Sequence, residues 1–438
     1  MRLYRSAKRE MLFCSIVLAG KKLSTETGPL FGKKKATAKT YGTPAKAKSA
    51  HDALVAAKRA DGFRVMGELP LPQVPIARNA ALEAELRKDH ADGAPYLVYA
   101  DWLQGQESPF GELLVLAQRK KAKQADAIAK KIGLPDPELA QVEWRYGMWR
   151  SLRLNNEIDH MTLEYDSVAF ARALFGSPLC AALEQLSIGM LRWDVIDDPS
   201  VIAEAGRHAW AKDLPVLRVG DVDRNIDLNH HGIGAVGKLI TKTFPRLRSL
   251  WMRSGERYEG PQTFDVAGLD LPELTDLTIE TCAMSRKRMK SVLAAKLPKL
   301  ERLELWFGDP EREANATFAD ISPVWSGAFP HVRHLGLCNT TLVGDIIRVL
   351  PESKLASKLQ SLDLSRGTFG DDDAAVLAAS AAKFKKLTAL DVSRSYLSAA
   401  SVRSLKKAFP GATVVAKDQQ REYDEADYGE RRFVSVSE

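Results

Sequence analysis

Four cysteines in 438 residues, Cys14, Cys180, Cys282 and Cys338, lie far apart and form no C-x-x-C pair. That spacing excludes a disulfide framework and a cysteine zinc site, and it fits a reducing compartment. Long apolar runs are missing too: none reaches the roughly 18 residues that a membrane-crossing helix needs. Met11–Gly20 (MLFCSIVLAG) is ten residues long, lacks a small-x-small cleavage site and is followed at once by two lysines. It therefore reads as a buried strand and not as a signal peptide. A soluble, cytoplasmic protein with no membrane contact is the expectation.

Recognisable chemistry is equally scarce. Gly232–Lys238 matches G-x-G-x-x-G by letter, but the strand expected before it ends near Gly220, and the glycines fall where a helix should begin. A dinucleotide fingerprint needs them directly after the strand. His331 and His334 flank a predicted strand, point to opposite faces and have no nearby Cys or Glu to complete a metal set. Asp371-Asp372-Asp373 lacks the later glycine and glutamate of a calcium loop and reads as a helix cap. His230-His231 falls in an interrepeat loop, and no Ser or Cys sits in a nucleophile elbow. The sequence thus implies no catalytic residue, cofactor or metal, and no enzyme.

Charge is unevenly spread. Residues 1–66 hold 15 Lys or Arg against 4 Asp or Glu, a net +11 within a chain of +7, so the other 372 residues carry −4. A basic segment of this kind attracts polyanions.

What the chain has in abundance is a leucine pattern. Copies of L-x-x-L-x-L align on Leu186, Leu217, Leu250, Leu277, Leu303, Leu335, Leu362 and Leu390, at spacings of 26 to 33 residues. In each copy the last two apolar residues are two apart and so face the same side of a strand. Stretches such as Asp371–Lys383 and Leu397–Phe409 carry helical spacing behind an Asp or Ser cap. A fixed period in this range marks a stacked array. The pattern resembles the leucine-rich repeat of the ribonuclease-inhibitor type. That resemblance implies an α/β solenoid over residues 146–417, with parallel strands lining a concave face and helices on the convex one.

Two further resemblances precede the array. Residues 1–66 read as strand, Gly20-Lys21-Lys22 turn, second strand Leu23–Thr27, a loop from Gly28 to Lys39, then a helix over Pro44–Ala60 stopped at Asp61-Gly62. With Ala47–Phe63, this resembles the WGR domain, known from DNA-dependent poly(ADP-ribose) polymerases. The tripeptide that names the family falls near Thr27-Gly28-Pro29, so its ring and its charge are lost and only phosphate attraction through Lys33, Lys34, Lys35 and Lys39 remains. Prolines at 70, 72 and 75 mark a linker over 67–78. Residues 79–145 are then expected as a helical module. In it Tyr99-Ala100-Asp101-Trp102-Leu103 and Gly111-Glu112 resemble the bacterial repeat-companion domain, with Trp102 as a core ring and Asp101 as a cap or hydrogen-bond acceptor. This module is expected to close the open end of the array. Residues 418–438 are expected as a flexible charged tail.

Along the concave face the repeat register turns Trp251, Arg253, Arg302, Glu304, Trp306, His334, Asp363 and Asp391 outward. Trp and Arg dominate protein interfaces. The leading expectation is a monomeric module that grips a protein partner there, with these residues as its site. The alternative is a nucleic-acid-associated adaptor, in which the basic N-terminal segment holds DNA or RNA while the repeats recruit a protein.

Overall fold

The computed structural model describes residues 1–7, 10–29, 33–63, 65, 77–132, 139–155, 157–158, 161–162, 166–191, 198–222, 232–255, 264–310, 314–425 and 429–436. The prolines at 70, 72 and 75 and the pair His230-His231 lie outside these residues.

The N-terminal segment is an antiparallel sheet of β1 (Arg2–Ala7), β2 (Glu10–Ala19), β3 (Lys22–Pro29) and β4 (Lys35–Thr40), in that order, with α1 (Pro44–Ala60) after it. Gly20 takes a left-handed φ of 57° at the β2–β3 turn, where a Cβ is disfavoured. Leu3, Cys14, Ile16, Leu23 and Phe63 form a small core, against which Ala50 and Leu54 pack. Thr43 caps α1 by accepting from the Lys46 amide at 3.2 Å. Two elements depart from the sequence reading. β1 was not expected, and the expected Gly28–Lys39 loop contains β4. Every residue of β4 is exposed, so it has no apolar face to reveal it, and its order comes from pairing with β3.

Four helices follow: α2 (Ala80–Leu86), α3 (Ala94–Gly105), α4 (Pro109–Gln118) and α5 (Ala122–Ile132). Tyr96, Tyr99, Leu103, Phe110 and Leu113 fill their core. The half-buried Trp102 stacks on Tyr99 with 5.9 Å between centroids, while Asp101 is exposed and caps no helix among the described residues. Buried Glu83 takes two bonds from Arg78, at 2.6 and 2.8 Å, and one from the Tyr99 hydroxyl at 2.9 Å.

The rest of the chain is built on one 11-stranded sheet. It opens with the hairpin β5 (Ala140–Arg145) and β6 (Met148–Leu154), turned by Tyr146 and Gly147 at positive φ. After a short hairpin, β7 (Glu157–Ile158) and β8 (Met161–Thr162), strands alternate with helices: α6 (Ser167–Phe175), β9 (Gln185–Ile188), α7 (Asp198–Ala205), β10 (Val216–Val219) and α8 (Gly237–Thr243). Then come β11 (Ser249–Arg253), β12 (Asp276–Glu280), α9 (Arg286–Leu293), β13 (Arg302–Trp306), α10 (Phe318–Ile321) and β14 (His334–Cys338). The array continues with α11 (Val343–Val349), β15 (Ser361–Asp363), α12 (Asp371–Ala379), β16 (Ala389–Asp391), α13 (Ala399–Ala408) and β17 (Thr413–Val415). A last hairpin, β18 (Tyr423–Glu425) and β19 (Gly429–Arg431), lies beyond the sheet.

From β6 through β9 to β17 each strand pairs in parallel with the next. The eight aligned leucines are direct cross-strand partners, and none is more than 1% exposed. Full burial contributes about 1.5–3 kcal/mol per leucine. The repeat spacing thus becomes a single apolar row, packed in one cluster with Ile202, Ile240, Met289, Ile346, Leu377 and Leu405 of the helices. A mixed α/β chain with a long parallel sheet of this kind is consistent with a leucine-rich-repeat-like solenoid.

Two ends differ from the sequence reading. The first parallel strand is covered by β5, an antiparallel neighbour, so a hairpin closes the sheet edge. The 418–438 segment is docked where it is described: Val434 is 5% exposed and Val436 packs on Cys282 and Ala283. Its charges hid the short aliphatic stretch that anchors it. Gly237 of the G-x-G-x-x-G match sits at the start of α8, where a Cβ would collide with the Val266 carbonyl. Close backbone approach explains that glycine.

Candidate functional site

On each strand, the residues beside the buried leucines face away from the helices. One cross-strand row runs Arg218, Trp251, Thr278, Glu304, Gly336, Asp363, Asp391 and Val415. Its neighbour runs Asp276, Arg302, His334, Ser361 and Ala389. The first row passes from basic to acidic along the stack.

The tryptophans and Arg253 are not exposed anchors. Trp251 is 8% exposed, donates its indole N–H to Glu280 Oε1 at 3.1 Å, and has the Arg218 guanidinium 4.0 Å above its ring. Trp306, 4% exposed, donates to Glu304 Oε1 at 2.8 Å and lies 4.8 Å beneath the Arg366 guanidinium. Arg253 is buried 3.8 Å from Glu280 Oε2. The register does turn these side chains outward, but rings this large lie along the sheet and are roofed by arginines from other repeats. Arg218 belongs to the same outward register, whereas Arg366 lies in the turn after β15, where the leucine pattern gave no reason to single it out.

Arg302, Glu304, His334, Asp363 and Asp391 do come together. They line a cavity of about 200 Å³ that spans β13 to β17, with Gly336 and Ser361 beside them. Gly336 opens it: a Cβ there would come within 2.7 Å of Glu304 Cγ. A glycine inside the strand pattern L-G-L is the sequence signal that marks such a close approach. Arg302 Nε donates to Asp276 Oδ1 at 3.1 Å, and His334 Nδ1 lies 2.9 Å from Ser361 Oγ.

Burial pushes the Glu304 carboxyl above its ordinary range, against the lowering effect of the Trp306 bond. Burial likewise raises Asp363, although the Ser365 amide donates to its Oδ1 at 2.9 Å, and nearby Asp391 adds to the rise. His334 is pushed down, first by burial and then by Arg302, which favours neutral imidazole. Among the described residues, no cation forms an ion pair with Glu304, Asp363 or Asp391. The arrangement can receive a positive group, and its carboxylates would then ionise more readily.

Elsewhere, Lys33, Lys34, Lys35 and Lys39 stand exposed on and before edge strand β4, with Lys34 Nζ 5.1 Å from the Phe13 ring. They are not among the residues that line the Gly336 cavity. His331 is exposed and His334 half-buried. Among the described residues, no group of three or more His, Cys, Asp or Glu is gathered to hold a metal, and no helix is long and apolar enough to cross a membrane.

No family model matches the chain, and no curated protein matches its sequence. Among solved structures, a structural-genomics target from Bacteroides fragilis is 16% identical, with a TM-score of 0.53 over 100% of this chain and 99% of its own. That likeness is one of fold alone. An internalin from Listeria monocytogenes is 13% identical over 62% of this chain and 87% of its own, at a TM-score of 0.25.

Proposed function

We propose that the chain is a non-enzymatic interaction module of the leucine-rich-repeat kind, which takes a protein partner on the concave, helix-free face of its parallel sheet. The observation that carries this reading is the set of three outward carboxylates around Gly336, with no cation paired to them among the described residues. In this reading Glu304, Asp363 and Asp391 receive a basic side chain of the partner, and Arg302 and His334 border it. Trp251, Arg253 and Trp306 hold the frame. Desolvated charge pairs of this kind set partner choice and off-rate.

The test is affinity capture by the whole chain, wild type beside Asp363→Asn/Asp391→Asn, with nuclease present. A protein retained by wild type and lost at least tenfold by the variant supports the reading. Equal capture by both chains sinks it.

A second reading, a nucleic-acid-associated adaptor, draws support from β4: an edge strand, exposed at every residue, with Lys35 and Lys39 on it and Lys33 and Lys34 just before it. Phosphate contacts made by four lysines would give a log–log salt slope of roughly −3 to −4 on duplex DNA. A nuclease-sensitive catch that ignores the aspartate changes would favour this reading.

A further inference from the structure

One turn per repeat follows the strands of the C-terminal half, and its central residue is left-handed: Asn339 (φ 52°), Arg366 (φ 69°) and Arg394 (φ 52°). Each of these residues directs its amide to the next repeat, Asn339 to Ser365, Arg366 to Ser393 and Arg394 to Lys417, at 2.8 to 2.9 Å. The Arg366 carbonyl accepts from the C-terminal segment, and the Arg394 carbonyl accepts both from that segment and from the Gln420 side chain at 2.6 Å.

The contacts are those of a bound extended chain. The buried Asn339 amide meets the Val436 backbone with both of its ends, donating to the carbonyl at 2.6 Å and accepting from the N–H at 2.9 Å. The Ser435 N–H donates to the Arg366 carbonyl at 2.8 Å, and its hydroxyl to that of Arg394 at 3.3 Å. The Tyr396 hydroxyl accepts from the Phe433 N–H at 2.8 Å and sits 2.9 Å from the Phe433 carbonyl. Side chains add selection: Val434 is buried, and Val436 packs on Cys282 and Ala283. Main-chain bonds with pockets for alternate side chains are how proteins recognise extended peptides. A buried amide such as Asn339 is costly to leave without partners, so a vacated track favours another extended chain.

We propose that this turn edge is a docking track for an extended segment, that residues 432–436 (RFVSV) occupy it in cis, and that the same segment of a second copy can take their place. The site is separate from the Gly336 cavity and does not depend on the function proposed for it.

The probe is a fluorescent peptide of residues 429–436, added to the full-length chain and to full-length Val434→Asp/Val436→Asp, whose own segment is disfavoured in the track. The expected result is saturable binding to the variant, at least tenfold tighter than to wild type. Adding Asn339→Ala to the variant should weaken it at least tenfold. Equal binding to both chains, or indifference to Asn339→Ala, would overturn the proposal. Hydrogen exchange of the unmutated chain, with and without excess unlabelled peptide, serves should the variant misfold. Amides of residues 433–436 exchanging at least tenfold faster with peptide support the track; unchanged exchange refutes it.

Discussion

Trp251 and Trp306 are held in the same way, although they sit at different positions of their strands. Each gives its indole N–H to a glutamate and carries a guanidinium on its face. The arrangement satisfies the polar handle of a buried ring and leaves arginine, not indole, at the surface. It also draws Glu304 into a half-buried position, where burial outweighs the indole bond and raises the carboxyl. A carboxyl whose folded pKa lies above its unfolded one keeps its proton longer in the native state. Its contribution to stability is therefore lost as pH climbs from the unfolded value to the folded one. Glu304→Gln keeps an acceptor for Trp306 and removes that loss. Urea unfolding from about pH 4 to about pH 8 should show the variant gaining on wild type as pH rises. A wild-type advantage that grows with pH would mean that a cation stabilises the ionised form.

Among elements, the junction between the helices and the array is decided by α2 and the loop after it. Arg87 is 8% exposed on its side chain, donates to Asp213 Oδ2 at 2.8 Å and to the Ala181 carbonyl at 3.0 Å, and so spans two repeats. Asp213 also receives Arg246 at 2.6 Å. Removing one member of a buried pair leaves its partner desolvated without compensation. Arg87→Ala should cost about 3 kcal/mol, near the low end for such pairs because Arg246 still reaches Asp213. Chemical denaturation followed by tryptophan fluorescence reads it; a change below about 0.5 kcal/mol, the ordinary range for a surface site, would show that the junction is held by apolar packing alone.

At the scale of the molecule, stability in a stacked array comes from each repeat and its neighbours. One edge is closed by the β5–β6 hairpin and the other ends at β17, while the docked C-terminal segment lies along the turns that follow β12, β14, β15 and β16. Strands β11 to β13 have parallel neighbours on both sides and sit farthest from either end. Native-state hydrogen exchange should find their amides slowest, with protection falling towards β6 and β17. Equal protection across the sheet would instead mark a single cooperative unit. The charge of the whole chain is divided in the same lengthwise manner: a basic N-terminal sheet, and an array whose outward row becomes acidic towards its end.

The repeat register was legible in the sequence because a stacked parallel sheet imposes one periodic demand, a leucine at the same place in every strand. The eight leucines picked out by spacing are the cross-strand partners of the fold. Arg302, Glu304, His334, Asp363 and Asp391 followed from the same register, since residues beside a core row must face the other way. How far each side chain is exposed did not follow. That depends on Arg218 reaching Trp251 from the next strand and Arg366 reaching Trp306 from two repeats away, contacts with no local signature. β4 has no apolar periodicity and is ordered by its neighbour. The C-terminal segment reads as charged and aperiodic, yet two valines and an asparagine 97 residues upstream hold it to the array. Local pattern determined the leucine-bearing strands of the array and their order. Long-range burial and pairing, which only the assembled structure brings about, decided which outward residues remain open to a partner.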